Sequence, residues 1–356
     1  MANSSFHEEP YDAGTLTKLD IFELYVQEWI PVFVSRSEPP FEELHVFDFF
    51  CGPGTDAVGQ AGSPLRILRQ MRSYQPKMAG WSKVKIVAHF SDVNAKKIAL
   101  LENLLQAPEW QIPGVQVKTK AAEFEAELIR HEKILLNPRA VKLLIIDQFG
   151  VDAVLEYVFR RFFTFPRTDF IFFVSSSTLH RFRDHPAIKI KIDHPETSYD
   201  VHRAAFDWYQ KLTPPAAYLG RFSIKKGSNI YGLIFGSQHP LAATKFLNVA
   251  WRNDQIAGEA NFDIDREGIT PDEPLLPFAE FQPKKKQAFE ADLETAIRTG
   301  KMKSEADLVH FCISAGMTCQ HATPVLLKLQ SEGVIACNFR TPDPRNLKTS
   351  RPILLC

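Results

Sequence analysis

The sequence predicts an α/β fold: a doubly wound Rossmann-like sheet ending in an antiparallel hairpin, with a winged helix behind it. Three observations predict it. Short apolar runs alternate with stretches of helical periodicity from residue 44 to residue 236, and such alternation places parallel strands in one sheet with helices on its faces. The apolar run 46–50 ends in Cys51-Gly52-Pro53-Gly54, and glycines after a buried strand allow a tight turn and a ligand's close approach to the main chain. Beyond residue 285 the order helix, short turn, helix, glycine, strand is the outline of a winged helix.

Taken in order, Leu16, Leu19, Ile21, Phe22, Leu24, Tyr25, Val26, Trp29 and Ile30 fall at helical spacing across 15–34, with Pro31 expected to break the helix. The first strand follows at about 44–50. Ser63-Pro64 opens the next helix, serine as cap and proline at its first position. Further strands are expected at 83–90, 115–118, 141–146 and 169–175, with helices at 94–105, 122–132, 151–162 and 199–212. Residues 218–224 and 230–236 read as a hairpin joined by a polar turn. Residues 254–285 lose periodicity and hold four prolines, Pro271, Pro274, Pro277 and Pro283, the composition of a linker or extended arm. The expected division is therefore a Rossmann-like domain over 1–255, a linker over 256–285 and a winged helix over 286–356.

At 356 residues the chain has room for two domains, since single cores stop growing at roughly 250–300 residues. Lys+Arg and Asp+Glu both number 42, so a nucleic-acid role would need a local basic patch. The five cysteines, Cys51, Cys312, Cys319, Cys337 and Cys356, are odd in number and unevenly spread, which argues for a reducing compartment. No secretory leader is expected from the chain's opening residues, and no run approaches the ~18 apolar residues that cross a bilayer. A cytoplasmic protein without a membrane partner is expected. His310, Cys312, Cys319, His321 and Cys337 match no zinc spacing, and no metal is expected.

Ligands of a doubly wound sheet bind beyond the carboxyl ends of its strands, where three acids fall: Asp48, Asp92 and Asp147. Counted from Asp48, Phe50 stands at i+2 and Gly52 and Gly54 at i+4 and i+6. That Asp-x-Phe-x-Gly-x-Gly form resembles the first motif of class I S-adenosylmethionine-dependent methyltransferases. The resemblance implies S-adenosylmethionine as cofactor, with Asp48, Gly52 and Gly54 at its methionine end and Phe50 near its adenine. Asp92, ending the second strand, is placed to hold ribose hydroxyls or to cap a turn. It lies 44 residues after Asp48 (92 − 48), against roughly 20 in a compact fingerprint, so extra residues must loop out between them. Glu123-Phe124 either flanks the adenine or is an exposed helix start.

Asp147-Gln148-Phe149-Gly150 ends the fourth strand, where amino-methyltransferases carry an Asp-Pro-Pro-Tyr motif. Asp147 is the candidate catalytic residue, accepting a hydrogen bond from a target amine, although both prolines are missing. Ser175-Ser176-Ser177 with His180, Arg181 and Arg183 is either a phosphate site or a solvated helix start.

Thr17-Lys18 ahead of Tyr25 and Trp29-Ile30-Pro31, then Cys51-Gly52-Pro53-Gly54 and Gly62-Ser63-Pro64-Leu65, resemble the three-Cys-motif partner (TcmP) family. Ile146–Gly150, 172–177 and 231–235 fit the same family, and the resemblance spans about residues 15–252. Cys51 and Gln148 depart from its usual Ala-Gly-Pro-Gly and Asp-Pro-[Phe/Tyr]-Gly. The resemblance implies a bacterial methyltransferase-like protein whose partner, encoded nearby, carries a three-cysteine motif. The expected function is S-adenosylmethionine binding with action on nucleic acid or a nucleotide. The alternative is a non-catalytic module that binds the partner protein or nucleic acid. In the C-terminal domain, Arg340, Arg345, Lys348 and Arg351 against Asp343 leave a net +3 (4 − 1), suited to phosphates or to a protein-binding wing.

Overall fold

The computed structural model describes residues 9–148, 154–174, 198–226, 229–264, 284–345 and 347–356. The chain divides into two compact units, Met1–Gln238 and His239–Cys356. The first unit therefore ends ahead of the boundary expected at 255, and residues 265–283 of the expected linker lie outside the described residues.

In the first unit, strands β1 (Glu43–Asp48), β2 (Lys85–Asp92), β3 (Val115–Ala121), β4 (Ala140–Ile146), β5 (Thr168–Val174), β6 (Tyr218–Lys226) and β7 (Asn229–Ser237) form one sheet. Their order is β3-β2-β1-β4-β5-β7-β6. The first five are parallel, and β7 runs antiparallel between β5 and β6. β1, β4 and β5 are buried along almost their whole length, as strands covered on both faces must be. β3 lies at the edge and exposes Gln116, Lys118 and Lys120, and the two lysine charges discourage pairing with another chain.

Alternation along the strands sends successive side chains to opposite faces. Phe47, Phe49, Leu144, Ile146, Phe170 and Phe172 face one layer. Against them pack Phe124 and Leu128 of α4 (Phe124–Arg130), Leu135 of α5 (Glu132–Leu135), Phe159 and Phe162 of α6 (Glu156–Phe162) and Tyr209 of α7 (Ser198–Leu212). The opposite layer holds α1 (Ala13–Val34) and α2 (Ser63–Tyr74). Tyr25 of α1 packs on Phe235, with ring centroids 5.2 Å apart. Its hydroxyl donates to Asp169 Oδ2 of β5 at 3.1 Å, as does Trp29 Nε1 at 2.8 Å. Helix α3 (Ala95–Leu104) joins β2 to β3.

Pro31 does not end the first helix, which continues to Val34. Proline costs a helix the bond from its missing N–H to the carbonyl four residues back. Here that carbonyl, of Gln27, instead accepts from the Tyr74 hydroxyl at 3.0 Å, so the loss is made good across the interface with α2. The helix expected at 122–132 splits at His131, whose φ of −95° and ψ of 7° leave the helical region. The carbonyls beyond that break accept from Lys142 of β4, at 3.0 Å for Leu135 and 2.9 Å for Asn137. Burial pushes the Lys142 ammonium down to about 8.

A buried histidine row crosses the α4 layer. His45 Nδ1 lies 3.0 Å from His89 Nε2, and His45 Nε2 is 3.0 Å from Glu43. His89 stacks on Phe47 at 4.2 Å and meets His131 at 4.6 Å. Burial, then the neighbouring His131 and His45, push His89 down to about 2.

The second unit holds α8 (Pro240–Asn253), α9 (Lys284–Arg298), α10 (Glu305–Ser314) and α11 (Thr323–Ser331). Two short antiparallel strands follow, β8 (Ile335–Ala336) and β9 (Leu354–Leu355), with an isolated bridge between Ser304 and Pro352. Ser304 caps α10 in a reciprocal pairing with Asp307. Among the described residues no helix is long and apolar enough to cross a membrane, and no group of three or more His, Cys, Asp or Glu is arranged to hold a metal.

Candidate functional site

The loop that follows β1 is folded onto the end of β2. Cys51 N donates to Ser91 O at 3.0 Å, and Gly52 N to Asp92 Oδ2 at 3.2 Å. Gly52 takes a φ of 64° to make that turn, a region costly for any side chain. Asp92 Oδ1 accepts from Asn94 N at 2.8 Å, and Lys97 Nζ stands 4.0 Å from Oδ2. Asp92 thus serves as a turn cap, with lone pairs left on both oxygens.

Gly54 is required for a different reason. With a φ of 93°, a Cβ there would lie 2.9 Å from Leu101 Cδ1 and 3.0 Å from Leu104 Cδ1. It lets α3 close on the loop. Phe50 is half-buried, its ring 5.8 Å from Phe124. Phe124 itself is buried in the α4 layer while Glu123 is exposed.

Asp48 is fully buried. Its Oδ1 accepts from Phe50 N at 3.2 Å, and Oδ2 has no hydrogen-bond partner. Burial pushes the carboxyl up to about 7, with the Ser63 hydroxyl opposing and the Asp147 and Asp92 carboxylates adding to the rise.

Asp147 follows β4 and both its oxygens are taken by Lys18 Nζ of α1, at 2.8 and 2.6 Å. Lys18 also lies 4.8 Å from the Phe173 ring centroid. Gln148 Nε2 donates to Phe173 O at 3.0 Å, and Phe173 stacks on Tyr231 at 5.2 Å. A general base must have an oxygen within reach of the proton that it takes, and Asp147 stands here as half of an ion pair. Phe149-Gly150, and the whole of Ser175-Ser176-Ser177 with His180, Arg181 and Arg183, lie outside the described residues.

Three contributors escaped the sequence reading. Lys18 neutralises Asp147. Asp56 fixes the glycine loop, its Oδ1 accepting from Val58 N at 3.0 Å and Gln60 N at 2.8 Å; an Asp two residues before a turn donor is a legible signal for this. Tyr11 lies across the loop, its N donating to Asp56 Oδ2 at 2.7 Å. A Cβ on Gly62 would be 3.1 Å from the Tyr11 hydroxyl oxygen. Burial raises that hydroxyl's pKa, and Asp56, Asp147 and Asp48 raise it further. Three carboxylates facing two ammonium groups, with one carboxylate oxygen unpartnered, suit a ligand that brings positive charge.

No family model matches the chain, and no curated protein matches it. Among solved structures it is similar to the S-adenosylmethionine-dependent methyltransferase from Agrobacterium tumefaciens, at 11% identity and a TM-score of 0.34, over 64% of this chain and 62% of that one. It is also similar to the O-methyltransferase from Bacillus cereus in complex with S-adenosylhomocysteine, at 10% identity and a TM-score of 0.35, over 65% of this chain and 84% of that one. A third similarity is to the putative methyltransferase yhhF from Escherichia coli, at 12% identity and a TM-score of 0.31, over 64% and 88%. The α/β class itself rests on the strand order and register described above.

Proposed function

We propose that the first unit binds S-adenosylmethionine and that the chain is a methyltransferase-like protein acting on nucleic acid or a nucleotide. The observation that carries this reading is Asp48, a fully buried carboxyl with an unpartnered oxygen beside the glycine turn. An opposite charge nearby favours the ionised form of a buried acid and offsets its desolvation. The ammonium of the cofactor's amino-acid end is such a charge. Asp48 and the Gly52 turn would hold that end, Asp92 the ribose, and Phe50 the adenine side. When bound, the cofactor supplies an electrophilic methyl group. The chain's own part is to keep Asp48 ionised, orient the turn and present Asp147 with Lys18 toward the acceptor side. Isothermal titration with S-adenosylhomocysteine tests it: no heat of binding up to millimolar ligand would sink the proposal.

A second reading, a non-catalytic module, is favoured by the Lys18–Asp147 pair and by Gln148 in place of proline. Labelled-cofactor assays on DNA, RNA and cell extract separate the two, since turnover on any of them defeats the second. Membership of the TcmP family, a bacterial cytoplasmic setting and a three-cysteine-motif partner remain proposals resting on the segments quoted above.

For the second unit we read α9, α10 and α11 with the β8–β9 ribbon as a winged helix, supported by the bridge from Ser304 to Pro352. Its basic tail is less available than its composition promises. Arg351 Nε donates to Glu305 Oε2 at 2.8 Å, and Arg345 stands 3.9 Å from Asp343. That pairing favours a protein partner over nucleic acid.

A further inference from the structure

The N-terminal segment 11–18 touches three separate parts of the first unit. At one end Tyr11 N is held by Asp56 of the glycine loop at 2.7 Å. In the middle, Asp12 caps α1 through Thr15 N at 2.9 Å and pairs with Lys226 of β6 at 2.5 Å. Gly14 lies against the same strand, where a Cβ would come within 3.0 Å of Lys226 Cβ. At the other end Lys18 reaches Asp147 beyond β4. The segment thus joins the glycine loop after β1, the carboxyl end of β6 and the end of β4. Asp48, whose charge acts on the Tyr11 hydroxyl, is 0% exposed.

We propose that residues 11–18 form a strap over the cofactor site and that Lys18 is its latch, a positioning residue that holds Asp147 and limits ligand access. The proposal rests on the cofactor reading above and adds how that site is reached. A ligand cannot contact Asp48 while it is fully buried, so part of its cover must move first. The Lys18–Asp147 pair is more buried, with side-chain exposures of 7% and 14%, than the Lys226–Asp12 pair at 30% and 41%. Exposed ion pairs contribute little because water screens them, while a charge-assisted hydrogen bond in a sheltered place is stronger. Rupture at Lys18 is therefore the slow part of opening. Loss of Lys18 also leaves Asp147 facing Asp48 and Asp92 without its counter-charge, which favours the lifted strap.

The test uses the full chain and S-adenosylhomocysteine as probe, by stopped-flow binding. Lys18→Met should associate about tenfold faster than wild type, the factor carried by about 1.4 kcal/mol. Lys18→Arg, which keeps the charge, should stay within about threefold of wild type. Lys226→Met, which removes the exposed anchor, should accelerate association by less than Lys18→Met and serves if the latter fails to fold. Hydrogen exchange without ligand gives an independent readout: the Tyr11 and Thr15 amides should exchange faster in Lys18→Met. If wild type binds the probe and both methionine variants associate at its rate, the strap is wrong while the cofactor reading stands. If wild type binds neither S-adenosylhomocysteine nor S-adenosylmethionine, both fall.

Discussion

Replacing Asp48 by asparagine should stabilise the first unit while weakening its site. The carboxyl is pushed up to about 7 in the folded protein, chiefly by burial, against roughly 3.9 in an unfolded chain. A folded pKa above the unfolded one means that folding favours the protonated form. The cost is absent below about pH 4, grows as the pH rises toward 7, and is constant above it. At about 1.36 kcal/mol per unit, the full span of about three units sets an upper bound of about 4 kcal/mol at pH 8. Asparagine fits the same space, keeps an acceptor for Phe50 N and carries no charge to bury. Urea unfolding of wild type and Asp48→Asn at pH 5 and pH 8 measures the effect. The variant's advantage should be larger at pH 8 by up to about 3 kcal/mol, about two units of the same slope. The same variant should lose at least about tenfold in affinity for S-adenosylhomocysteine, a difference of about 1.4 kcal/mol. An Asp48→Asn protein less stable than wild type at pH 8, or with a pH-independent difference, would refute the reasoning.

The histidine row should act in the opposite sense. His89 is pushed down to about 2, against about 6.5 unfolded, so its contribution is complete above pH 6.5 and is lost as the pH falls; by pH 5 the loss is about 2 kcal/mol. His89→Phe, which keeps the stack on Phe47, should flatten that part of the stability profile, and an unchanged slope would exclude His89 as its source. Asp92→Ala should loosen the Gly52 turn and reduce S-adenosylhomocysteine affinity at least about tenfold, or about 1.4 kcal/mol; calorimetric affinity equal to wild type removes Asp92 from the site. Gly236→Ala would set a Cβ 2.1 Å from Phe170 Cζ, and overpacking of this kind costs about 1–3 kcal/mol or more, visible as a thermal midpoint lower by several degrees. With Arg345 and Arg351 engaged by acids of their own unit, any duplex DNA binding by the tail should show a log–log salt slope no steeper than about −2, at about 0.9 per phosphate contact. A slope near −4 would mean that those pairs open on DNA.

The parallel strands were legible because burial on both faces leaves a continuous apolar run, and each run ended within a few residues of its observed limit. The hairpin strands run further into the turn than the sequence suggested, by two residues to Lys226 and by one from Asn229. The glycine turn was legible for the same local reason, and Asp48, Gly52 and Asp92 do come together. What failed was non-local. Pro31 is tolerated because Tyr74, on another helix, supplies the donor that the proline lacks. Lys18 meets Asp147 across 129 residues, and nothing in the local pattern marks either as paired. The tail's positive count ignored Glu305, which lies well before it in the chain. Helix α8 could have been found, since His239-Pro240 offers a cap and a first-turn proline, and His239 Nδ1 accepts from Leu241 N at 3.1 Å.

The attachment of α1 has a consequence for how the chain is made. Tyr25 and Trp29 are anchored by Asp169, 144 and 140 residues later. At about 5–20 residues per second on the ribosome, roughly 7–30 s separate synthesis of the helix from synthesis of its anchor. Through that interval Ile21, Phe22, Tyr25, Val26, Trp29 and Ile30, all buried in the finished protein, have no sheet to cover them. α1 thus emerges long before Asp169 can anchor it, and the nascent chain must carry part of its apolar stripe uncovered until β5 is complete.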